Sequence, residues 1–239
     1  EEKANGVIAS SAGNHAQGVA LGAKMTGINA TIVMPATAPL AKVTATKGYG
    51  AEVVLNGLVY DDAYAKAVEL QKETGATFLH PFNDKYVIAG QGTIGLEILE
   101  QLDGKVDTIL CPIGGGGIIA GIAVAAKGIN PNIKIVGVQT ANIPSMHESM
   151  KNGEVTTAFK ATTIADGIAV KTPGDVTFDI IKELVDEIIV VEEDEIAQGM
   201  LFLMENQKVV AEGSGAVSTA ALLSGKYVPQ KDENVVCVI

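Results

Sequence analysis

The sequence predicts an α/β fold of two open, mainly parallel twisted sheets flanked by helices, truncated at both ends. Three observations lead there. Short apolar runs alternate with amphipathic helical stretches, the pattern of strands joined by helical crossovers. The 239 residues are 47% hydrophobic but only 4% aromatic. Small and β-branched residues in those amounts suit helices packed closely on a buried parallel sheet. The chain also opens a few residues before the strand-like Val7-Ile8-Ala9 and stops inside the apolar run Val235-Val236-Cys237-Val238-Ile239.

Strands are expected at 7–9, 30–34, 52–55, 108–111, 134–138, 187–191 and 234–239. Helices are expected at 14–25, 38–49, 61–74, 86–101, 117–127, 173–184, 193–206 and 213–223. Met34-Pro35, Gly48-Tyr49-Gly50 and Asn130-Pro131-Asn132 punctuate them. A division is expected near His80-Pro81-Phe82-Asn83-Asp84. Residues 6–84 then form a smaller α/β domain of three strand–helix units, and 85–239 a larger one interrupted by a polar stretch at 141–171. Two such domains facing each other across a cleft suit a small-molecule ligand.

Composition excludes several functions. The net charge is −11 and the pI is near 4.7, which disfavours nucleic acid because phosphate backbones need cationic partners. All 17 basic residues are lysines. Any anion site must therefore use lysine, backbone N–H groups or a helix N-terminus. Cys111 and Cys237 each lie in an apolar run and read as buried thiols in a reducing compartment. No zinc spacing, signal peptide or membrane-length apolar run occurs, so the cytoplasm is the default location.

The run Ile109-Leu110-Cys111-Pro112-Ile113 leads into Gly114-Gly115-Gly116-Gly117, and Ile118-Ile119-Ala120-Gly121 opens a helix. Without Cβ atoms, a backbone can approach an anion and aim several N–H groups at it. The helix N-terminus adds partial positive charge. The alternative is a tight turn that binds nothing, for which four glycines are entropically costly. Gly115-x-Gly117-x-x-Ala120 also fits a permissive dinucleotide fingerprint, which wants an acidic residue after the next strand. Gln139 stands there, so a single phosphate is the better reading.

A second strand-to-helix loop is Ser10-Ser11-Ala12-Gly13-Asn14-His15, followed by Ala16-Gln17-Gly18. It suits a carboxylate or a ring oxygen, or it is an ordinary helix cap. Asp61-Asp62, Glu192-Glu193-Asp194-Glu195 and Asp232-Glu233 read as solvated edges. The six methionines read as packing, and His80 and His147 as structural.

The order of these motifs resembles fold-type II pyridoxal-phosphate enzymes of the threonine/serine dehydratase (threonine ammonia-lyase) family. The likeness runs from the 10–18 loop through 80–84, Gly90-Gln91-Gly92-Thr93-Ile94-Gly95-Leu96-Glu97 and Pro112–Gly117 to Ala165-Asp166-Gly167 and Glu212-Gly213-Ser214-Gly215-Ala216. The resemblance implies pyridoxal 5'-phosphate as cofactor. Asn14 would bond its ring hydroxyl oxygen, Gly114, Gly115, Gly116, Gly117 and Ile118 its phosphate, and Glu212 would lie near its ring. Ser11, Ala12, Gly13 and His15 would line the substrate carboxylate site. No metal site is carried over, because Gln139 stands where racemase-type members have a glutamate.

The implied activity is dehydration of L-threonine to 2-oxobutanoate and of L-serine to pyruvate, each with ammonia. The family's Schiff-base lysine lies in a Ser-Phe-Lys-like motif upstream of the asparagine loop, before Glu1 here. No catalytic lysine is therefore expected within 1–239, and the chain alone should be inactive. The family's ring-nitrogen serine would follow Ile239. Serine racemases carry a serine where Ala12 stands, so dehydration is favoured. Other readings are a serine racemase, a β-replacing synthase, or a non-catalytic phosphate-binding module. The resemblance further implies a homo-oligomer and, in catabolic members, an AMP effector near Gln17 and the 48–54 segment.

Overall fold

The computed structural model describes residues 5–58, 60–159 and 162–239; of Asp61 it describes the backbone alone. Two compact units divide the chain, Glu1–Pro81 and Phe82–Ile239. In the first unit, strands β1 (Val7–Ser10), β2 (Ala30–Met34), β3 (Glu52–Leu55) and β4 (Thr77–Phe78) alternate with helices α1 (Asn14–Thr26), α2 (Leu40–Gly48) and α3 (Tyr60–Thr74). All pairs in this sheet are parallel, in the order β3-β2-β1-β4. β4 was not foreseen. It has only two residues, too few to show the alternation by which a strand is read in sequence.

The second unit carries β5 (Thr108–Pro112), β6 (Lys134–Thr140), β7 (Glu187–Val191) and β8 (Val235–Cys237), again all parallel and ordered β7-β6-β5-β8. Its helices are α4 (Lys85–Gln101), α5 (Gly117–Ile129), α6 (Ser145–Asn152), α7 (Asp175–Leu184), α8 (Glu193–Phe202) and α9 (Gly213–Leu223). β5 and β6 lie at the centre of this sheet and are almost wholly buried, which explains their unbroken apolar runs. The two sheets with flanking helices are the architecture that the sequence predicts.

Three differences have physical causes. The stretch at 141–171 contains α6 and a 3₁₀ turn at Asp166–Ile168; Ser145, Ser149 and Thr163 turn their hydroxyls onto protein partners, which breaks the apolar period by which a helix is read. β6 runs two residues beyond its predicted end, so Gln139 lies inside the strand. Helix α8 passes into a π-turn at Leu203–Gln207. The methionines divide as well. Met34 and Met146 are buried, whereas Met25 is 79% exposed and Met204 49% exposed, so these two are not core packing.

Glycine allows α4 and α5 to cross closely. A Cβ on Gly121 would stand 2.3 Å from the Ile88 carbonyl oxygen and 2.6 Å from the Gly92 nitrogen. Both are helix backbone and cannot swing away. Isoleucines 119 and 122 of α5 are fully buried in the same core, at about 1.5–3 kcal/mol each. Gly121→Ala should therefore force the helices apart and cost about 3 kcal/mol or more, read as a lowered urea midpoint. An unchanged midpoint would refute the close crossing.

Candidate active site

In the first unit, β1 ends at Ser10 and the loop 11–13 delivers the chain to α1. Asn14 is the first helical residue, and Gly13 rather than a serine occupies the cap position, without a side-chain cap. Ser11 is used within the loop: its Oγ accepts the Gly13 N–H at 3.2 Å. The His15 Nε2 lies 3.0 Å from the Leu79 carbonyl oxygen, just past β4. The ring must donate there, so Nε2 carries the proton and Nδ1 is the free acceptor when the ring is neutral. Burial lowers the His15 pKa, against the raising effect of that backbone bond. His15 is thus a tie between the loop and the end of β4. Ala12 is half-buried, and Asn14 is exposed.

In the second unit, the tetraglycine loop leaves the C-terminal end of β5. Gly116 caps α5 with φ +98°, a left-handed conformation that favours glycine. The first bond of the helix runs from the Ala120 N–H to the Gly116 carbonyl at 3.0 Å. The N–H groups of Gly117, Ile118 and Ile119 precede it and have no carbonyl four residues back within the helix. That is a donor set for an anion. Ile118 is 39% exposed, so its end of the loop reaches solvent.

The space beside these glycines adds a packing reason for them. A Cβ on Gly115 would stand 2.3 Å from the Phe82 ring, and one on Gly117 would stand 2.9 Å from the Phe82 Cα. At Gly116 it would meet Thr177 and Ile181 at 2.8–2.9 Å. Protein atoms take up this room, so the absence of Cβ atoms serves packing under the loop as well as any approach of a ligand. Thr177 adds a hydroxyl bond of 2.6 Å to the Gly115 carbonyl, which leaves the loop's N–H groups to other partners.

Glu212 caps α9 and is exposed. A Cβ on Gly167 would lie 3.2 Å from the Glu212 Oε1 and 2.8 Å from the Ser214 Oγ. The Asp166-Gly167 and Glu212-x-Ser214 motifs, far apart in sequence, thus meet in this unit. The Ser214 hydroxyl is buried and has no hydrogen-bond partner among the described residues, and Ser10 is in the same condition at the end of β1. Both serines fall within the sequence motifs, but neither is given a role of its own there, because a serine in an apolar strand or at a helix start looks like an ordinary cap. Gln139, fully buried, donates to the Ile113 carbonyl at 3.3 Å and accepts the His147 N–H at 2.8 Å. Both ends of its amide are used in binding β6 to the residue before the glycines and to α6.

A donor-lined loop at a helix N-terminus and an orphaned buried hydroxyl beside a carboxylate fit a ligand that carries phosphate and ring heteroatoms. The pyridoxal-phosphate dependent enzyme family matches residues 1–239. The chain belongs to this family. This pyridoxal-phosphate family member is 56% identical over 224 residues to an L-threonine ammonia-lyase of Thermotoga maritima, a match of 94% of this chain and 56% of that protein. It is 53% identical over 241 residues to a catabolic L-threonine dehydratase of Staphylococcus aureus, covering 100% of this chain and 69% of that one. The chain thus spans a little over half the length of the first relative. Among solved structures it resembles maize serine racemase, with TM-score 0.93, 39% identity, and 98% and 72% coverage. Threonine deaminase isoform 2 of Solanum lycopersicum gives 0.91, 40%, 98% and 68%.

Proposed function

We propose that the protein is a pyridoxal-phosphate dependent L-threonine and L-serine dehydratase, releasing 2-oxobutanoate or pyruvate and ammonia. The observation that carries the reading is Ala12, in the asparagine loop of a chain 53–56% identical to enzymes named for threonine. A methyl group at that position can neither take nor give a proton, so it favours elimination over racemisation. When bound, the pyridoxal group supplies the electron sink for a carbanion at the substrate α-carbon. The chain's own residues hold and orient. By the resemblance, Asn14 would serve the ring hydroxyl oxygen, and Gly114, Gly115, Gly116, Gly117 and Ile118 would serve the phosphate. Ser11, Ala12, Gly13 and His15 would line the substrate carboxylate site, with His15 fixing the loop through Leu79. Glu212 would border the ring.

Full-length protein should take up pyridoxal phosphate, give an absorption that borohydride fixes to a lysine, and form 2-oxobutanoate from L-threonine. Serine racemised faster than it is dehydrated would overturn the argument from Ala12.

We place this enzyme in the cytoplasm as a homo-oligomer. One feature accords with that compartment: both cysteines are free. Among the described residues no helix is long and apolar enough to cross a membrane. We further propose a nucleotide effector. A cleft of about 350 Å³ in the first unit is lined by residues that include Lys24, Tyr49, Gly50 and Glu52. It takes in part of the 48–54 segment, though not Gln17. It offers a cation for phosphate and a ring for stacking. At limiting L-threonine, AMP should raise the rate, and Lys24→Ala should weaken that response; a rate indifferent to AMP would refute it.

A further inference from the structure

The Ala165-Asp166-Gly167 motif has no role in the reading above, yet the chain around it touches both halves of the second unit's site. A Cβ on Gly114, the first glycine of the loop, would stand 3.1 Å from the Ile168 Cα and 3.3 Å from Val170. On its other side, residue Gly167 abuts Ser214 and Glu212. Gly213 backs so closely onto the same stretch that a Cβ there would stand 2.3 Å from the Ile164 carbonyl oxygen. Residues 163–170 are thus a strap wedged between the tetraglycine loop and the start of α9. The strap is outside the sheet, so something other than a strand ladder must hold it.

Its far end is tied by Ser145, whose hydroxyl donates to the Val170 carbonyl at 2.7 Å. Its near end is held by a carboxylate. Glu193, the first residue of α8, accepts the Thr140 hydroxyl at 2.8 Å and the Thr163 hydroxyl at 2.6 Å on Oε1. Its Oε2 accepts the Ile164 N–H at 2.7 Å. The acidic run at 192–195 is therefore not a merely solvated edge, because one of its members reaches inward to three donors. Burial alone would raise the Glu193 pKa, but the bonds from Thr163, Ile164 and Thr140 together hold it below the usual carboxylate range. A carboxylate is well suited to this place, being acceptor-only with two oxygens, and it gains from lying at a helix N-terminus.

We propose that Glu193 is a positioning residue for the pyridoxal-phosphate site: it anchors the 163–170 strap that sets the spacing between the tetraglycine loop and Glu212–Ser214. The proposal rests on the cofactor reading given above. Glu193 acts through Thr163 and Ile164, to which its carboxylate is bonded. Glutamine at 193 keeps one acceptor oxygen for the two hydroxyls but turns an N–H toward the Ile164 N–H. Alanine removes every bond.

The test uses full-length protein and compares wild type with Glu193→Gln, Glu193→Ala and Thr163→Val. In the cofactor-free proteins, the Ile164 and Ala165 amides of Glu193→Ala should exchange at least about ten-fold faster, while those of β5 stay unchanged. Titration with pyridoxal phosphate should then show affinity about ten-fold weaker and a smaller visible circular dichroism band of the bound cofactor. Glu193→Gln should fall between wild type and Glu193→Ala, and Thr163→Val should show a smaller change in the same direction. Wild type that takes up no pyridoxal phosphate overturns the cofactor reading and this proposal with it. Wild type that binds it, beside folded variants with unchanged affinity and dichroism, overturns the proposal alone. Uniformly faster exchange across β5 and β6, with no selective change at 164–165, also overturns it, because Glu193 would then be only a general stabiliser.

Discussion

Residues 1–239 expressed alone should form 2-oxobutanoate from L-threonine at least about 10⁴-fold more slowly than full-length protein, even with pyridoxal phosphate added. General-base catalysis is typically worth about 10²–10⁴-fold, and the covalent activation that a lysine provides would be lost as well. The resemblance puts that lysine upstream of the asparagine loop. Of the lysines present, Lys127, Lys134 and Lys226 are held in ion pairs at 2.7–2.8 Å with Asp186, Glu187 and Glu195. Phe159-Lys160 repeats the expected dipeptide but falls downstream of the loop, and Lys160, like Lys3, lies outside the described residues. Borohydride reduction followed by peptide mapping makes the test concrete. Turnover comparable to the full-length protein, or an adduct on Lys160, would mean that the catalytic lysine and much of the proposed site are misplaced.

The strands were legible where burial was greatest. β5 and β6 each read as an apolar run because helices and neighbouring strands cover them, and a central parallel strand has no polar face to interrupt the pattern. β4 was not legible, having two residues and no period. The helices at 145–152 and 166–168 were hidden for a different reason. Ser145, Ser149 and Thr163 turn their hydroxyls onto the Val170 carbonyl, the Ser145 carbonyl and the Glu193 carboxylate, so the packed side of the stretch carries polar residues and shows no apolar period. The loops that carry the candidate site were legible as loops, since glycine runs and Ser-Ala-Gly-Asn-His have few other uses. What sequence could not give was which side chains meet. Gly167 against Ser214, Phe82 under Gly115 and Glu193 on Thr163 join positions 30 to 47 residues apart, and no local pattern marks them.

Phe82 is the clearest of these, because it makes two explanations of the glycine run separable. Glycine is needed at 115 either because a ligand must come close or because the Phe82 ring already stands where a Cβ would go. Gly115→Ala should cost about 1–3 kcal/mol of stability, the usual cost of forcing extra atoms into a packed site, and should weaken pyridoxal phosphate binding by displacing the loop's N–H groups. Phe82→Ala removes the ring and should cost less than the roughly 3–5 kcal/mol of a fully buried aromatic, since Phe82 is only half-buried. The double variant decides. If the ring alone requires glycine, the added methyl group finds room, and the two changes couple by about 1–3 kcal/mol instead of adding. Cofactor affinity should then return toward that of Phe82→Ala. If stability recovers in the double variant but affinity does not, the bound phosphate itself needs the space above Gly115, and the loop is glycine-rich for both reasons. Strictly additive losses in urea unfolding would mean that Phe82 is not the group the new Cβ meets, and the packing account of the loop would be wrong.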